Sequence, residues 1–414
     1  MKILLVTRGS QGDIYPYLRL AKELERRGHF VTVNLPLAFE KQAQDAKIAR
    51  YYIQGKDDIC GMMEDELDTK DLLKWTNRVI GQQFKELVPL LEKHDILVGS
   101  NTEFAAPTIA EYCGKPFIRT AYGPFIPSDV IPPPVFPLPK PHAILRPAFL
   151  WSLLNAGLNM MCRKTLNIHR KKLGMPPIKD QAEHAPSNAL NYLLYSPALG
   201  SIDRNWKYKW DIGGYIFNDE IPYNEGILKN FLNFIKKDNK PTLFFTHGSC
   251  TSDVRDRFTE NVDEICRKHG YKLAIGCGWQ GVGKKLPKHD SLFLLETSIP
   301  HCLVLPHVTA VMHHGGVGTT HSTARAGKPQ MITPMFLDQW YWAYQTKLLG
   351  CGPGYINIKR ISKKQLEKKI VSLMTNQNYA HNAAQIGVQV RAENGLEQTC
   401  NFIENNVDGK YLCA

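Results

Sequence analysis

Residues 310–327 leave few folds open to this chain. The apolar run Ala310-Val311-Met312 ends in two histidines and a glycine-rich turn, and a helix-compatible stretch over about residues 319–326 follows, closed by Gly327. Strand, tight turn and helix in that order belong to alternating α/β architecture. Such a turn aims several backbone N–H groups and the positive end of a helix dipole at one point, where a phosphate or pyrophosphate binds without needing a metal. Gly315, Gly316 and Gly318 let the backbone approach closely, and Thr319 and Thr320 add hydroxyl donors. Residues 330–333 read as a further strand, Pro334 stops it, and Asp338-Gln339 stand at the start of the next helix. A carboxylate beside a carboxamide suits the gripping of sugar hydroxyls, so phosphate grip and sugar grip lie in one segment.

The whole segment reads His313-His314-Gly315-Gly316-x-Gly318-Thr319-Thr320, then Arg325-Ala326-Gly327-x-Pro329, then Pro334-x-x-x-Asp338-Gln339-x-x-Trp342. It resembles the nucleotide-sugar signature of the GT-B glycosyltransferases of family 1, in their bacterial and sterol glucosyltransferase-like branch, with every fixed position present. The alternative is a buried turn of the same shape that holds no ligand. The resemblance implies an α/β fold of two Rossmann-like domains facing each other across a cleft. It also implies an inverting, metal-independent transfer of a hexose from a nucleotide-diphosphate sugar to a hydroxyl, with no cofactor beyond the donor itself. On the donor side it assigns His314 to the diphosphate, Gly316 and Gly318 to the turn, Thr319 to a phosphate oxygen, and Asp338 and Gln339 to the sugar. Gly248-Ser249 match another phosphate-side turn, and Trp279 falls near the nucleotide. Where plant members carry a glutamate for the ribose this chain has Ser322, so UDP and dTDP donors both stay open. A metal site at His313, His314 and His321 is disfavoured, because His313 ends a strand and faces away from His314.

A second centre is Gly9-Ser10-Gln11-Gly12-Asp13-Ile14-Tyr15-Pro16, at the C-terminal end of the first strand, where open α/β sheets bind ligands. In the family it resembles, this string forms the cleft floor, with Gly12 facing the donor and the acidic residue a candidate base. Asp13 fits the role of taking the acceptor's proton, with Ser10 assisting or orienting it. The competing reading is that Asp13 merely satisfies backbone N–H groups at a helix start. The aspartate partner used by plant relatives has no match in residues 99–103; Glu103 is the substitute nearest to hand.

Along the chain, strands are expected at residues 2–7, 31–35, 96–98, 117–121 and 190–195, with helices at 16–27, 72–91 and 105–113, which predicts a doubly wound parallel sheet. Residues 124–147 hold nine prolines and should form a semi-rigid loop over the mouth of this half. The pattern restarts with strands at 242–246, 273–276, 292–295 and 310–313 and a helix at 254–269. This gives an acceptor-binding domain over residues 1–217, a polar linker over 218–240, a donor-binding domain over 241–385, and a terminal segment over 386–414 that the resemblance takes back onto the first domain. Gly276-Cys277-Gly278-Trp279-Gln280-Gly281 spells a dinucleotide fingerprint, but Gly283 and Pro287 leave no room for the helix that must follow it.

With 414 residues, the chain is long enough for two cores. Its ten cysteines contain no C-x-x-C pair and the first apolar run is too short for a secretory signal, so a reducing, cytoplasmic setting is expected. A net charge of +12 points to an anionic partner. Nothing interleaves aromatic and basic residues as RNA binders do, so nucleic acid is not expected. Arg163, Lys164, His169, Arg170, Lys171 and Lys172 follow the apolar stretch from Phe149 to Leu154, a pattern open to two readings: a solvated helix face, or peripheral contact with an anionic membrane. Trp75, Phe84, Tyr122, Phe125, Phe149 and Trp151 are candidates for an apolar acceptor pocket, for a sterol, polyketide or lipid. The rival function is a nucleotide-sugar epimerase or silent binding protein on the same scaffold, which needs no such pocket.

Overall fold

The computed structural model describes residues 1–55, 69–135, 145–247, 254–278, 281–335 and 337–406. The first half is built on seven strands: β1 Lys2–Val6, β2 Phe30–Leu35, β3 Tyr51–Ile53, β4 Ile96–Ser100, β5 Phe117–Ala121, β6 Leu190–Leu193 and β7 Trp210–Ile212. They form one parallel sheet in the order β3-β2-β1-β4-β5-β6-β7. Ile3, Leu4, Leu5 and Val6 are all fully buried, as the uninterrupted apolar run of a strand covered on both faces requires. The second half carries β8 Thr242–Thr246, β9 Lys272–Gly276, β10 Leu292–Leu295, β11 Ala310–His313 and β12 Gln330–Ile332, parallel in the order β10-β9-β8-β11-β12. In both sheets the order reverses beside the strand that bears a glycine turn, β1 in one and β8/β11 in the other, which is where such sheets open a crevice.

Several elements differ from the sequence expectation. The helix expected from residue 16 begins five residues earlier, as Gln11–Arg26, so Gly12 and Asp13 lie in its first turn and Pro16 inside it. The residue four before Pro16 is Gly12, which keeps the backbone there free of side-chain crowding. The supposed linker contains the helix Glu225–Lys236, whose Phe231 and Phe234 are buried against Phe244 and Leu295 of the second sheet. Its lysines and asparagines mask a regular apolar face. Strands β3 and β7 are three residues long at the sheet edges and carry no legible alternation. Of the proline-rich stretch, residues 136–144 lie outside the described residues, and residues 124–135 contain neither helix nor strand.

The described residues end in three helices, Lys363–Thr375, Gln377–Ala392 and Gly395–Asn405. The last of these packs on Gln11–Arg26 in the first half: Arg27 bonds Asn401 and Glu404 at 2.6 and 2.8 Å, His29 meets Glu404 at 2.8 Å, and Phe402 stacks on Tyr192 at 4.3 Å. One apolar cluster runs from Ile3 and Leu5 through Tyr195 and Tyr215 to Val317, Trp342 and Ile403. The two halves therefore share a core rather than meeting at a wet seam.

Candidate functional site

The first wall of the site is the end of β1. Gly9 has φ +132°, and a Cβ there would overlap the Asp13 carboxylate, so glycine is what lets that side chain fold back over the turn. Ser10 caps the helix Gln11–Arg26; its N–H and hydroxyl donate to Asp13 Oδ2 at 2.8 and 3.2 Å. The backbone carbonyl of Asp13 accepts from Thr7 Oγ1 and from the Tyr122 hydroxyl at 3.1 and 3.2 Å. As a residue Asp13 keeps some exposure, yet its carboxyl is enclosed, and burial raises its pKa to about 6 against the opposing hydrogen bonds from Ser10. It is thus a carboxylate at neutral pH with a proton affinity suited to a base. The bonds it accepts from Ser10 complete the capping box of the helix start, which is the competing reading weighed from sequence.

Glu103 is a different case. It is 2% exposed, accepts from Gln83 at 2.5 Å and sits 3.7 Å from Arg8 Nε, and burial raises its pKa in spite of Arg8. Enclosed against Gln83 and Arg8, its carboxyl is withheld from solvent.

The second wall is the turn after β11. His313 is fully buried; its Nδ1 accepts from the Gly315 N–H at 3.1 Å, which leaves Nε2 to donate to Gln330 Oε1 at 2.8 Å. It holds the turn from beneath. His314 follows, with its ring nearly perpendicular to that of His313 and its pKa pushed down to about 4 by burial and then by His301, so it is a neutral imidazole. Gly315 has φ +97°, and a Cβ there would lie 2.5 Å from Ile332. A Cβ on Gly316 would lie 2.5 Å from His314 Nε2, and one on Gly318 would lie 2.8 Å from the Tyr215 hydroxyl. Gly316 caps the helix Val317–Arg325 without a side-chain hydrogen bond. The amides of Val317, Gly318 and Thr319, which have no acceptor within their own helix, therefore define an anion-binding point. Thr320 and Thr323 turn their hydroxyls onto the carbonyls of Gly316 and Thr319, while Thr319 stays half-buried at the turn.

Asp338 comes from the loop after β12 and precedes the helix Gln339–Leu348. Its Oδ2 accepts from Trp342 Nε1 at 3.0 Å, and its pKa rises to about 7, first through burial and then through the charge of Asp13. The charge of Asp13, from the first half, thus reaches the Asp338 carboxyl. Gln339 is 4% exposed, and its Oε1 accepts from the Met335 N–H at 2.8 Å, which fixes the loop that carries Asp338. Gly248, Ser249 and Trp279 lie outside the described residues. Among the described residues no three His, Cys, Asp or Glu side chains are grouped to hold a metal.

Between the walls lies a junction that sequence reasoning missed. His321 donates from Nδ1 to Val317 O at 2.8 Å and accepts at Nε2 from the Ser196 N–H of the first half at 3.0 Å. Tyr215 stacks on it at 4.8 Å, and Trp342 meets it edge-on at 4.9 Å. The Tyr341 hydroxyl accepts from the Ser201 N–H at 2.7 Å. The hint in sequence was Gly213-Gly214 just before Tyr215: Gly214 has φ +86° and a Cβ on Gly213 would overlap Tyr192, as expected where backbone runs close to packed rings.

This junction is pH-sensitive. Burial lowers the His321 pKa from 6.5 to about 4, so the unfolded chain binds the proton more readily. The stability it contributes is present above pH 6.5 and is lost as pH falls toward 4, by up to about 3 kcal/mol. Asp13 and Asp338, with raised pKa values, act in the opposite direction. His321→Phe keeps the stacked ring but removes both hydrogen bonds. We expect it to cost about 1–3 kcal/mol at pH 7.5 and to flatten the fall in melting temperature between pH 6.5 and 4.5; an unchanged slope would count against the assignment.

The aromatic candidates do not converge on one pocket. Tyr122 reaches Asp13, and Phe125 lies half-buried under Gly123. Trp75 is 2% exposed, edge-on to Phe104. Phe84 stacks on His169 at 4.5 Å inside the helical layer. Trp151 is pinned by its Nε1 to Ile131 O at 2.8 Å, whereas Phe149, two residues earlier on the same helix, is 52% exposed. Neighbours two apart on a helix cannot line one cavity. Only Tyr122 touches the site directly, through the Asp13 carbonyl.

Two parallel Rossmann-like sheets, with a glycine turn at the head of a central strand in each, define a GT-B protein. Solved structures of that fold align along the full chain: the calicheamicin glycosyltransferase CalG4 with a TM-score of 0.73, 16% identity and 99% of both chains covered, and the glycosyltransferase of kitacinnamycin with 0.71, 16% and 98% of both. Residues 290–399 match the model of the erythromycin biosynthesis protein CIII-like C-terminal domain. The chain is 26% identical over 437 residues to a sterol 3-beta-glucosyltransferase of Yarrowia lipolytica, covering 99% of this chain and 29% of that protein. To the vancomycin aglycone glucosyltransferase of Amycolatopsis orientalis it is 27% identical over 356 residues, covering 85% of each. The chain is thus similar to sterol and natural-product glucosyltransferases on a GT-B scaffold, and it spans less than a third of the length of the Yarrowia relative.

Proposed function

We propose that the protein moves a hexose from a UDP- or dTDP-sugar to a hydroxyl of an apolar acceptor, with inversion and without a metal. The observation that carries this reading is the placing of three groups at strand ends: Asp13 after β1, the open helix N-terminus at Val317–Arg325 after β11, and Asp338 after β12, with Gly315 of the turn packed against Gln339 next to Asp338. In the proposed step Asp13 takes the proton of the acceptor hydroxyl as its oxygen forms a bond to the anomeric carbon. The bond from that carbon to the diphosphate oxygen breaks, and the departing charge settles on the amides of Val317, Gly318 and Thr319, with His314 beside them. A single displacement of this kind inverts the anomeric centre. Asp338 holds the sugar hydroxyls in this reading, which is supported by the bonds through which Trp342 fixes its carboxyl and Gln339 its loop. Support for the donor class comes from relatives: two neighbouring structures of this fold are complexes with thymidine diphosphate. Support for an apolar or natural-product acceptor comes from the names of the sterol and vancomycin aglycone enzymes.

The donor assignment is tested by thermal shift. UDP or dTDP should raise the melting temperature as far in EDTA as in magnesium, since the positive potential comes from backbone and helix. Strict dependence on a divalent ion would overturn the metal-independent reading. An acceptor panel with the preferred donor, read by mass spectrometry, separates transfer from the epimerase alternative: a glycosylated acceptor supports the former, an isomerised sugar nucleotide the latter.

A further inference from the structure

Residues 147–172 form one unbroken helical rod: an α-helical stretch Pro147–Leu158, a π-helical turn Asn159–Arg163 and a second α-helical stretch Lys164–Lys172. Its inner side is firmly anchored. Leu150, Trp151, Cys162 and Leu166 are buried, and Arg170 is 3% exposed in a two-point ion pair with Glu111 at 2.7 and 3.1 Å. His169 is stacked on Phe84, and burial lowers its pKa. Two members of the basic cluster seen in sequence are therefore structural, and the cluster is narrower than it reads.

The outer side is unlike the rest of the surface. Phe149, Leu153, Met160 and Ile168 are 47–64% exposed, and Leu145 stands at the rod's start with 38%. They recur four, seven and eight residues apart, and the extra residue of the π-helical turn keeps them in one stripe. Arg146, Arg163, Lys164, Lys171 and Lys172 are exposed along the same rod. Between Asp129 and Asp180 none of the 50 residues is acidic, while eight are Lys or Arg. The run itself supplies no carboxylate to its cations, and Glu111, from the helix Ala106–Cys113, is taken up by the inward-facing Arg170.

We propose that this outer face docks on an anionic lipid bilayer, the rod lying in the plane of the headgroups with Phe149, Leu153, Met160 and Ile168 entering the acyl boundary. The four exposed cations at Arg163, Lys164, Lys171 and Lys172 meet lipid phosphates, their long stems letting the charges stay in water. A nucleic acid or an acidic protein would satisfy the charges but gives no reason for large apolar side chains to stand out among them. Among the described residues no helix is long and apolar enough to cross a membrane, so the contact is peripheral.

The test is co-sedimentation of the full chain with vesicles of phosphatidylserine and phosphatidylcholine. Binding is expected at low salt, with release as salt rises and little binding to phosphatidylcholine alone. Lys164→Gln and Lys171→Gln should each lower partitioning about fivefold, and Leu153→Ser with Met160→Ser should lower it at every salt concentration. All four positions are exposed, and an unchanged melting temperature would show that the fold is intact. Absence of binding at low salt by the folded protein would overturn the proposal. So would retention of full binding by the variants, or capture by a soluble polyanion such as heparin without binding to vesicles.

Discussion

Asp13→Asn is expected to reduce turnover by about 10²- to 10⁴-fold, the usual contribution of a general base, while UDP or dTDP binds nearly as before. The substitution keeps the size of the side chain and an oxygen able to accept from Ser10, so the helix start survives. It removes a carboxylate whose pKa, about 6, suits proton removal near neutrality. The acidic limb of the rate profile near pH 6 should vanish with it. His314→Ala provides the contrast: it should weaken nucleotide binding together with rate, because that contact would exist in both the ground and transition states. Near wild-type turnover in Asp13→Asn would move the base elsewhere; the Glu103 carboxyl is sealed under Arg8 and Gln83.

Trp342→Ala is expected to destabilise the protein by about 3–5 kcal/mol, the range for removing a large buried aromatic side chain. Trp342 is fully buried and touches Tyr195 of the first half, and His321 and Tyr341 of the second. It also donates to Asp338, so its loss leaves that carboxyl without its partner and drives its pKa further up. Denaturant unfolding should still show one transition, earlier than in the parent, because the shared core couples the halves. Two separated transitions in the parent protein would contradict that coupling. Trp342→Phe, which keeps most of the volume, separates the packing contribution from the hydrogen bond: a small stability loss with impaired transfer would locate the effect at Asp338.

The sheet strands built from uninterrupted apolar runs were legible, among them β1, β4, β8 and β11, since burial on both faces leaves a signal that needs no partner to be read. The donor turn was legible because its glycines are demanded locally, by φ at Gly315 and by close approach at Gly316 and Gly318. What escaped was decided at a distance. The helix Glu225–Lys236 acquires its purpose only from the sheet it covers. Arg170 reads as one more surface cation until Glu111 is brought beside it, and Phe149 reads as pocket lining until its helix turns it outward. His321 looked like a possible ligand by its neighbours in sequence; its partner Ser196 lies 125 residues away, and no local periodicity announces such a bond. The separate roles of Asp13 and Asp338 were likewise accessible only through the family resemblance, not through spacing.

The return of Gly395–Asn405 onto the first half has a practical bearing on recombination. Because Arg27, His29 and Tyr192 are completed by Glu404, Asn401 and Phe402, the last described helix is part of the first body although it follows the second in sequence. A hybrid enzyme made by grafting everything after residue 217 from a relative would import a foreign terminal helix onto a native surface. A graft with two seams, the second close to Glu393-Asn394, would keep that surface matched to its own helix and confine the exchange to the nucleotide-holding body.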